Sequence, residues 1–211
     1  MKILKLAAAA AIAAGLSFSA TAADESVATP SILSNESFSV GYVDAEIADT
    51  VDADGFVFEA SKQWDSVYGS VQYQKLNSSE GEGFYSYDID IAHIKGTVGY
   101  QHVINSKSVV EIEAGYRFEE IDGTIAGMSD SEDDTFFNVG VNYRYAVLGN
   151  FALTAAANYD DGSYLADDGS QTTWSLGAEY DFTENFGLAA SFSKSSDVDY
   201  LGLQLIYRPS K

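Results

Sequence analysis

The sequence predicts an all-β fold: a transmembrane antiparallel up-and-down β-barrel of about ten strands, with eight strands as the alternative. Three observations predict it. Apolar and polar residues alternate with period two in segment after segment, the mark of strands whose two faces meet different surroundings. The apolar faces carry aromatic rings near their ends and small or aliphatic residues between, which suits a strand whose rings sit at two membrane interfaces. Tight turns alternate with longer acidic connections for most of the chain, as in strands that run up and down between two compartments.

The chain begins with Lys2 and Lys5, a run from Leu6 to Phe18 that is apolar apart from Ser17, and the small-residue pattern Ala20-Thr21-Ala22. The run is too short for a spanning helix, so residues 1–23 read as a secretory signal peptide. Residues 24–35 follow as a polar periplasmic leader, residues 36–208 as the barrel and residues 209–211 as a C-terminal tail. There is no cysteine, hence no disulfide or lipoprotein anchor. Lys and Arg number 11 against 32 Asp and Glu, a net charge of -21 that argues against nucleic acid as a partner. Thirteen per cent aromatic residues, 18 glycines and only two prolines fit strands divided between lipid and water.

The first strand starts near Glu36 with Phe38, Val40 and Tyr42 on one face, but the apolar set then moves to Val43, Ala45 and Ile47. A bulge at Tyr42-Val43 would account for the change of phase. Asp49 to Asp54 reads as an acidic loop. The second strand turns Phe56, Phe58 and Ala60 outward and Val57, Glu59 and Ser61 inward. After the turn at Trp64-Asp65-Ser66, the third carries Val67, Gly69, Val71 and Tyr73 outward. Asn77 to Gly83 reads as a polar loop. In the fourth strand Ile94, Gly96, Val98 and Tyr100 face outward, whereas Tyr85, Tyr87, Ile89 and Ile91 are in the opposite phase. Either a bulge near Ala92 or an extension beyond the membrane would resolve this.

The fifth strand sets Val110, Ile112, Ala114, Tyr116 and Phe118 against Glu111, Glu113, Gly115, Arg117 and Glu119. Charges so arranged must face water or one another. Ile121 to Asp134 reads as a long acidic loop. The sixth and seventh strands form the hairpin of residues 135–161, with Tyr145 and Phe151 beside its turn and Phe137 and Tyr159 at its far end. Asp160 to Gly169 reads as another acidic loop. The eighth strand turns Trp174, Leu176, Ala178, Tyr180 and Phe182 outward, the ninth Phe186, Leu188, Ala190 and Phe192, and the tenth Leu201, Leu203, Leu205 and Tyr207. The aromatic girdle is therefore Trp64, Tyr100, Tyr116, Phe118, Phe137, Tyr145, Phe151, Tyr159, Trp174, Phe182, Phe186, Phe192 and Tyr207. Closing ten antiparallel strands leaves no edge and keeps both termini at one end.

The leader, the turn Tyr180-Asp181-Phe182-Thr183-Glu184-Asn185-Phe186-Gly187-Leu188 and the final strand resemble those of small bacterial outer-membrane β-barrel proteins, the OmpA/OmpX-like, porin-family-type barrels. In the final strand Gly202, Leu205 and Tyr207 are similar to the signal read by the outer-membrane assembly machinery. The tail from Arg208 to Lys211 departs from it, because the family often stops at the terminal aromatic. The resemblance implies a monomer in the outer membrane of a Gram-negative bacterium, with membrane lipid, lipopolysaccharide and the assembly machinery as partners.

The candidate site is the lumen charge network of Glu59, Lys95, Glu111, Glu113, Arg117, Arg144 and Glu179. In a narrow barrel these charges pair across the interior and plug it. Alternatively they line a small pore whose acidic excess favours cations. No catalytic residue, metal or cofactor is expected. His93 and His102 are the only histidines. Neither has the Ser two residues on that similarity to lipid A deacylase barrels would require. An omptin-like reading would rest on Asp88 and Asp90 near His93. Asp52-Ala53-Asp54-Gly55 and Asp130-Ser131-Glu132-Asp133-Asp134 lack the full spacing of a calcium loop and read as solvated acidic surface, with diffuse divalent binding against lipopolysaccharide left open. The functional expectation is a structural or surface-interaction outer-membrane protein. The alternatives are a small porin-like channel for passive diffusion of small solutes or cations and, third, a soluble lipocalin-like binder.

Overall fold

The computed structural model describes residues 30–47, 51–80, 87–125, 128–162, 170–196 and 198–209. The signal peptide of residues 1–23 and the leader as far as residue 29 lie outside the described residues. A short 3₁₀ turn, η1 (Ser31–Leu33), precedes ten strands: β1 (Ser37–Ile47), β2 (Val51–Trp64), β3 (Val67–Glu80), β4 (Tyr87–Asn105), β5 (Ser108–Ile125), β6 (Met128–Leu148), β7 (Phe151–Asp161), β8 (Ser170–Asp181), β9 (Phe186–Lys194) and β10 (Val198–Tyr207). Each strand pairs antiparallel with its neighbours in the chain, and β1 pairs with β10 to close the barrel. The tight connections at Trp64–Val67, Asn105–Ser108, Leu148–Phe151 and Asp181–Phe186 lie at one end, with the start of β1 and the end of β10. This is the turn end; the other is the hairpin-tip end. At the first of these turns Asp65 adopts φ 53°, a conformation that Asp tolerates better than most residues.

Over most of the barrel apolar side chains point out and polar ones in. Along β6 Phe137, Val139, Val141, Tyr143 and Tyr145 are exposed on the outer face, while Asn138, Gly140, Arg144 and Ala146 are buried. The outward rings form close pairs, Tyr116–Phe137 with centroids 5.5 Å apart and Phe186–Tyr207 at 5.2 Å.

Several expected loops are corrected. Asp52 and Asp54 lie on β2, Asn77 to Glu80 on β3, and the acidic residues 130–134 on β6; of Ile121 to Asp134 only residues 126 and 127 fall between strands β5 and β6. Backbone pairing continues beyond the lipid belt because ladder hydrogen bonds do not depend on which side chains meet water. The bulge expected at Tyr42-Val43 is likewise absent. β1 keeps an unbroken register with both neighbours, from Phe38 opposite Tyr207 and Ala60 to Ile47 opposite Val198 and Val51. β4 is also continuous around Ala92, so the second of the two possibilities, extension, applies there. The strands hold their phase and the solvent code inverts instead. Near the hairpin tips Asp44 and Glu46 point out, and Val43, Ala45, Val57, Leu76 and Val198 form a buried apolar cluster inside the barrel, flanked by Ile47, Ile91 and Tyr200. Below this level the outside is apolar because it meets lipid. Above it the outside is acidic, and the inside supplies the hydrophobic core.

Candidate functional site in the lumen

The turn end of the lumen is built around Arg144, which β6 directs inward by its even-numbered alternation. Its Nη1 donates to the carbonyl of Leu33 at 3.3 Å and to Asn35 Oδ1 at 3.1 Å, and its Nη2 donates to the carbonyl of Ile32 at 2.5 Å. It also pairs with Glu111 at 3.4 Å and Glu179 at 3.5 Å. Residues 30–36 thus fold back into the barrel mouth, with Ile32 0% and Leu33 1% exposed against Val109, Ala146 and Ala152. Neutral amides complete the seat. Gln101 Nε2 donates to the carbonyl of Leu33 at 2.8 Å and to Glu111 at 3.0 Å. Asn35 Nδ2 donates to Glu111 at 2.8 Å, and Gln63 Oε1 accepts from the Asn35 amide at 2.7 Å. Apart from Glu59, the charges at this depth each have an opposite partner or several donors, which a buried ion requires.

Glu179 bridges to Arg208 at 2.5 Å, and Arg208 also pairs with Asp181. Asn185 accepts from the Arg208 amide at 2.8 Å and donates its side-chain amide to the Arg208 carbonyl at 2.8 Å. Midway up, Lys95 and Glu113 are 3.6 Å apart, and Tyr68 and Asn142 donate to Glu113 at 3.0 and 3.3 Å. Higher still, Arg117 lies 3.5 Å from Glu119 and 4.4 Å above the Phe136 ring centroid. Lys95 and Arg117 are cross-strand neighbours, so these carboxylates separate two like charges that would otherwise repel. Glu59 faces the lower cavity without joining these pairs.

Among the described residues the lumen holds a cavity of about 280 Å³ toward the turn end and another of about 420 Å³ toward the hairpin tips. Ser175, Ser191 and Gln204 line both.

Of the seven residues expected in the lumen network, six make ion pairs and all face inward. The structure adds Arg208 and Asp181, the amides Gln63 and Gln101, Tyr68, and the plug residues Ile32, Leu33 and Asn35. Continuing the alternation of the second and fourth strands would turn Gln63 and Gln101 inward, and the apolar pair Ile32-Leu33 in a polar leader is the available signal for the plug. The girdle residues lie on the outer face, with those beside the turns (Trp64, Tyr145, Phe182, Phe186, Tyr207) separated from those toward the tips (Phe137, Tyr159, Trp174, Phe192). Gly202 is buried, and Leu205 and Tyr207 are exposed on β10. His93 points inward with Nδ1 3.9 Å from Glu119, while His102 is exposed on the outer face. Asp88 and Asp90 have the opposite parity from His93, and Asp90 pairs with Lys75 at 3.4 Å, so the omptin-like grouping does not assemble. Among the described residues no group of three or more His, Asp or Glu side chains could hold a metal ion.

The family described as "outer membrane protein beta-barrel domain" matches residues 8–182. Among solved structures the chain is similar to the translocator domain of the autotransporter NalP from Neisseria meningitidis, at 11% identity and a TM-score of 0.53 over 99% of this chain and 95% of that one. It is also similar to the NanC porin, at 8% identity and a TM-score of 0.52 over 82% of this chain and 100% of the other. The attachment invasion locus protein Ail of Yersinia pestis aligns at 17% identity with a TM-score of 0.45, over 82% and 97% of the two chains. At these identities the likeness is one of fold alone. None of the curated proteins matches the chain.

Proposed function

The chain belongs to the outer membrane protein β-barrel domain family, and from that premise we propose that it is a plugged, non-conducting barrel with a structural and surface-interaction role. The observation that carries this reading is the Arg144 seat, which fastens Ile32 and Leu33 across the turn end of the lumen. The turn end faces the periplasm and the hairpin tips face outward, in keeping with the short periplasmic turns of such barrels. The exposed outer surface near the tips is acidic, with Asp44, Glu46, Asp52, Asp54 and Asp122 on it. Such a surface selects cationic partners and meets anionic lipopolysaccharide only through bridging cations. Lipid around the belt, the outer-membrane assembly machinery and a monomeric state complete the proposal, which assigns no catalytic role.

Planar-bilayer recording of the refolded protein tests it. The intact chain is expected to show no steady openings, whereas a chain lacking residues 30–36 conducts small cations. Steady cation-selective openings from the intact chain, removed by bulky substitution at Glu113, would overturn the reading. They would favour the second one, passive diffusion of small solutes or cations, for which the shared lining of the two cavities is the supporting observation.

A further inference from the structure

The lower lumen holds one carboxylate that the charge network leaves out. Glu59 points inward from β2 into the cavity of about 280 Å³, and among the described residues it makes no hydrogen bond and no ion pair. The two cations that act on it are engaged elsewhere, Lys95 with Glu113 at 3.6 Å and Arg144 with Glu111 and Glu179 at 3.4 and 3.5 Å. Glu113 and Glu179 act on it as like charges. An ionised carboxylate in a narrow interior is costly unless a positive charge or several donors meet it.

Its neighbours supply oxygens rather than protons. Ser39 stands directly opposite Glu59 on β1, but its hydroxyl donates to Gln204 at 2.8 Å. Tyr68 donates to Glu113 at 3.0 Å. Ser37 and Ser61 share a hydrogen bond of 3.1 Å, and Ser70 lies opposite Ser61 on β3. All of these hydroxyls line the same cavity as Glu59, and none donates to it. Gln72, the partner of Glu59 on β3, lines the upper cavity instead. A hydroxyl whose proton is given away still offers its oxygen lone pairs, and one carboxylate among such oxygens is the donor set of a hard cation. A divalent ion would gather several carboxylates, and among the described residues no group of three or more His, Asp or Glu side chains could hold one. A single unmatched carboxylate calls for a single positive charge.

We propose that the lower lumen binds an alkali-metal ion, Na⁺ or K⁺, on the Glu59 carboxylate, with the hydroxyl oxygens of Ser39, Ser61 and Ser70 and cavity water completing its shell. Neutral oxygens that replace the hydration shell are a known way of holding such ions. The serines and Glu59 belong to β1, β2 and β3, and Ser34 and Asn35 of the plug line the same cavity. The ion is therefore taken up as these elements come together, and no route through the finished lumen is needed. The site goes beyond the anchoring role, because it makes the stability of the barrel depend on which cation the medium supplies. The bilayer recording above reads conduction rather than this equilibrium, so either reading can fail alone.

The test is urea unfolding of the full chain, folded in phosphatidylcholine vesicles, in NaCl, KCl and tetramethylammonium chloride at equal ionic strength, so that screening is the same in each. The methyl groups of tetramethylammonium keep its charge away from oxygen ligands. At least one alkali salt is expected to raise the folding equilibrium constant about tenfold or more over the tetramethylammonium salt. Glu59→Gln should erase that preference while remaining at least as stable as the unaltered chain in tetramethylammonium chloride, and Ser39→Ala should reduce it. Should a variant fail to fold, amide NMR of the unaltered chain decides: the amides of Ser39, Glu59 and Ser61 should shift saturably with the preferred salt, and those of Asp44 and Asp122 on the acidic outer surface should not. Equal stability in the three salts, as a protonated carboxyl would give, a preference that survives in Glu59→Gln, or saturable shifts confined to Asp44 and Asp122 would overturn the proposal.

Discussion

Replacing Arg144 by Met removes the cation that seats the plug while keeping much of the side chain's volume. Glu111 would retain the donors from Asn35 and Gln101, at 2.8 and 3.0 Å, but no cation. Stripping one partner from a buried ion pair costs about 3–5 kcal/mol. Glu179 is largely spared, because Arg208 remains 2.5 Å away. The carbonyl of Ile32 loses its donor, a further penalty of about 1–3 kcal/mol. Release of residues 30–36 relieves both penalties. It sacrifices the burial of Ile32 and Leu33, about 1.5–3 kcal/mol each, and recovers backbone entropy of about 1–2 kcal/mol per residue. Release is therefore the cheaper response, and the barrel itself should persist. Amide hydrogen exchange in micelles reads this directly, since the amides of Leu33 and Ser34 are bonded to Pro30 and Ser31 carbonyls and that of Asn35 to Gln63. Their protection should fall about a hundredfold, the equivalent of roughly 3 kcal/mol, while amides of β6 and β10 stay protected. Adding Glu111→Gln removes the stranded charge and should restore at least about tenfold of that protection, or roughly 1.4 kcal/mol. Unchanged protection in Arg144→Met, or a double variant no better than the single, would refute the reasoning.

Three further outcomes follow from the geometry. Gly99 lies where any Cβ would run into the Tyr68 ring, so Gly99→Val should destabilise the barrel by about 1–3 kcal/mol in urea unfolding; Tyr68→Ala in the same chain should recover part of the loss. Val43→Asp places a charge in the interior apolar cluster and should cost roughly 2 kcal/mol or more, whereas Asp44→Val, one residue on and facing out, should leave the unfolding midpoint nearly unchanged; equal effects would show that the faces have been assigned wrongly. Arg208→Ala strands Asp181 at the foot of the barrel, while Glu179 keeps Arg144, and should cost about 3–5 kcal/mol, with Arg208→Lys recovering only part, because an ammonium lacks the guanidinium fork.

The ten strands and their inward and outward faces were legible in the sequence because a period of two needs no tertiary knowledge. The paired charges of the lumen could be named because Glu111, Glu113, Arg117 and Arg144 have the parity that faces inward. Which carboxylate meets which cation was not legible, since Glu179 and Arg144 are brought together only by the registers of β6 and β8 on the β7 between them. The changes of phase at Val43 and Ile91 are visible in the sequence, yet a bulge accounts for the first of them there as well as the true cause does. Local pattern cannot tell a slipped register from a change in the solvent outside the strand. Arg208 looked like a departure from the terminal aromatic, although its guanidinium turns back to Glu179 and Asp181. A side chain so long and flexible gives the sequence no periodic signal.

The plug hangs from the N-terminal end of β1 yet is held by β6, β7 and β8 on the far side of the barrel. It is therefore a tether between the first strand and the opposite wall. The seam that closes the barrel joins residues as distant as Ser39 and Gln204, 165 positions apart. With η1 docked on the middle strands, the chain left to close runs only from Glu179 to Gln204, which lowers the loop entropy of closure by roughly 1–2 kcal/mol. The leader segment that stops the mouth also brings the two ends of the sheet within reach of each other. A chain without it should form the same barrel more slowly.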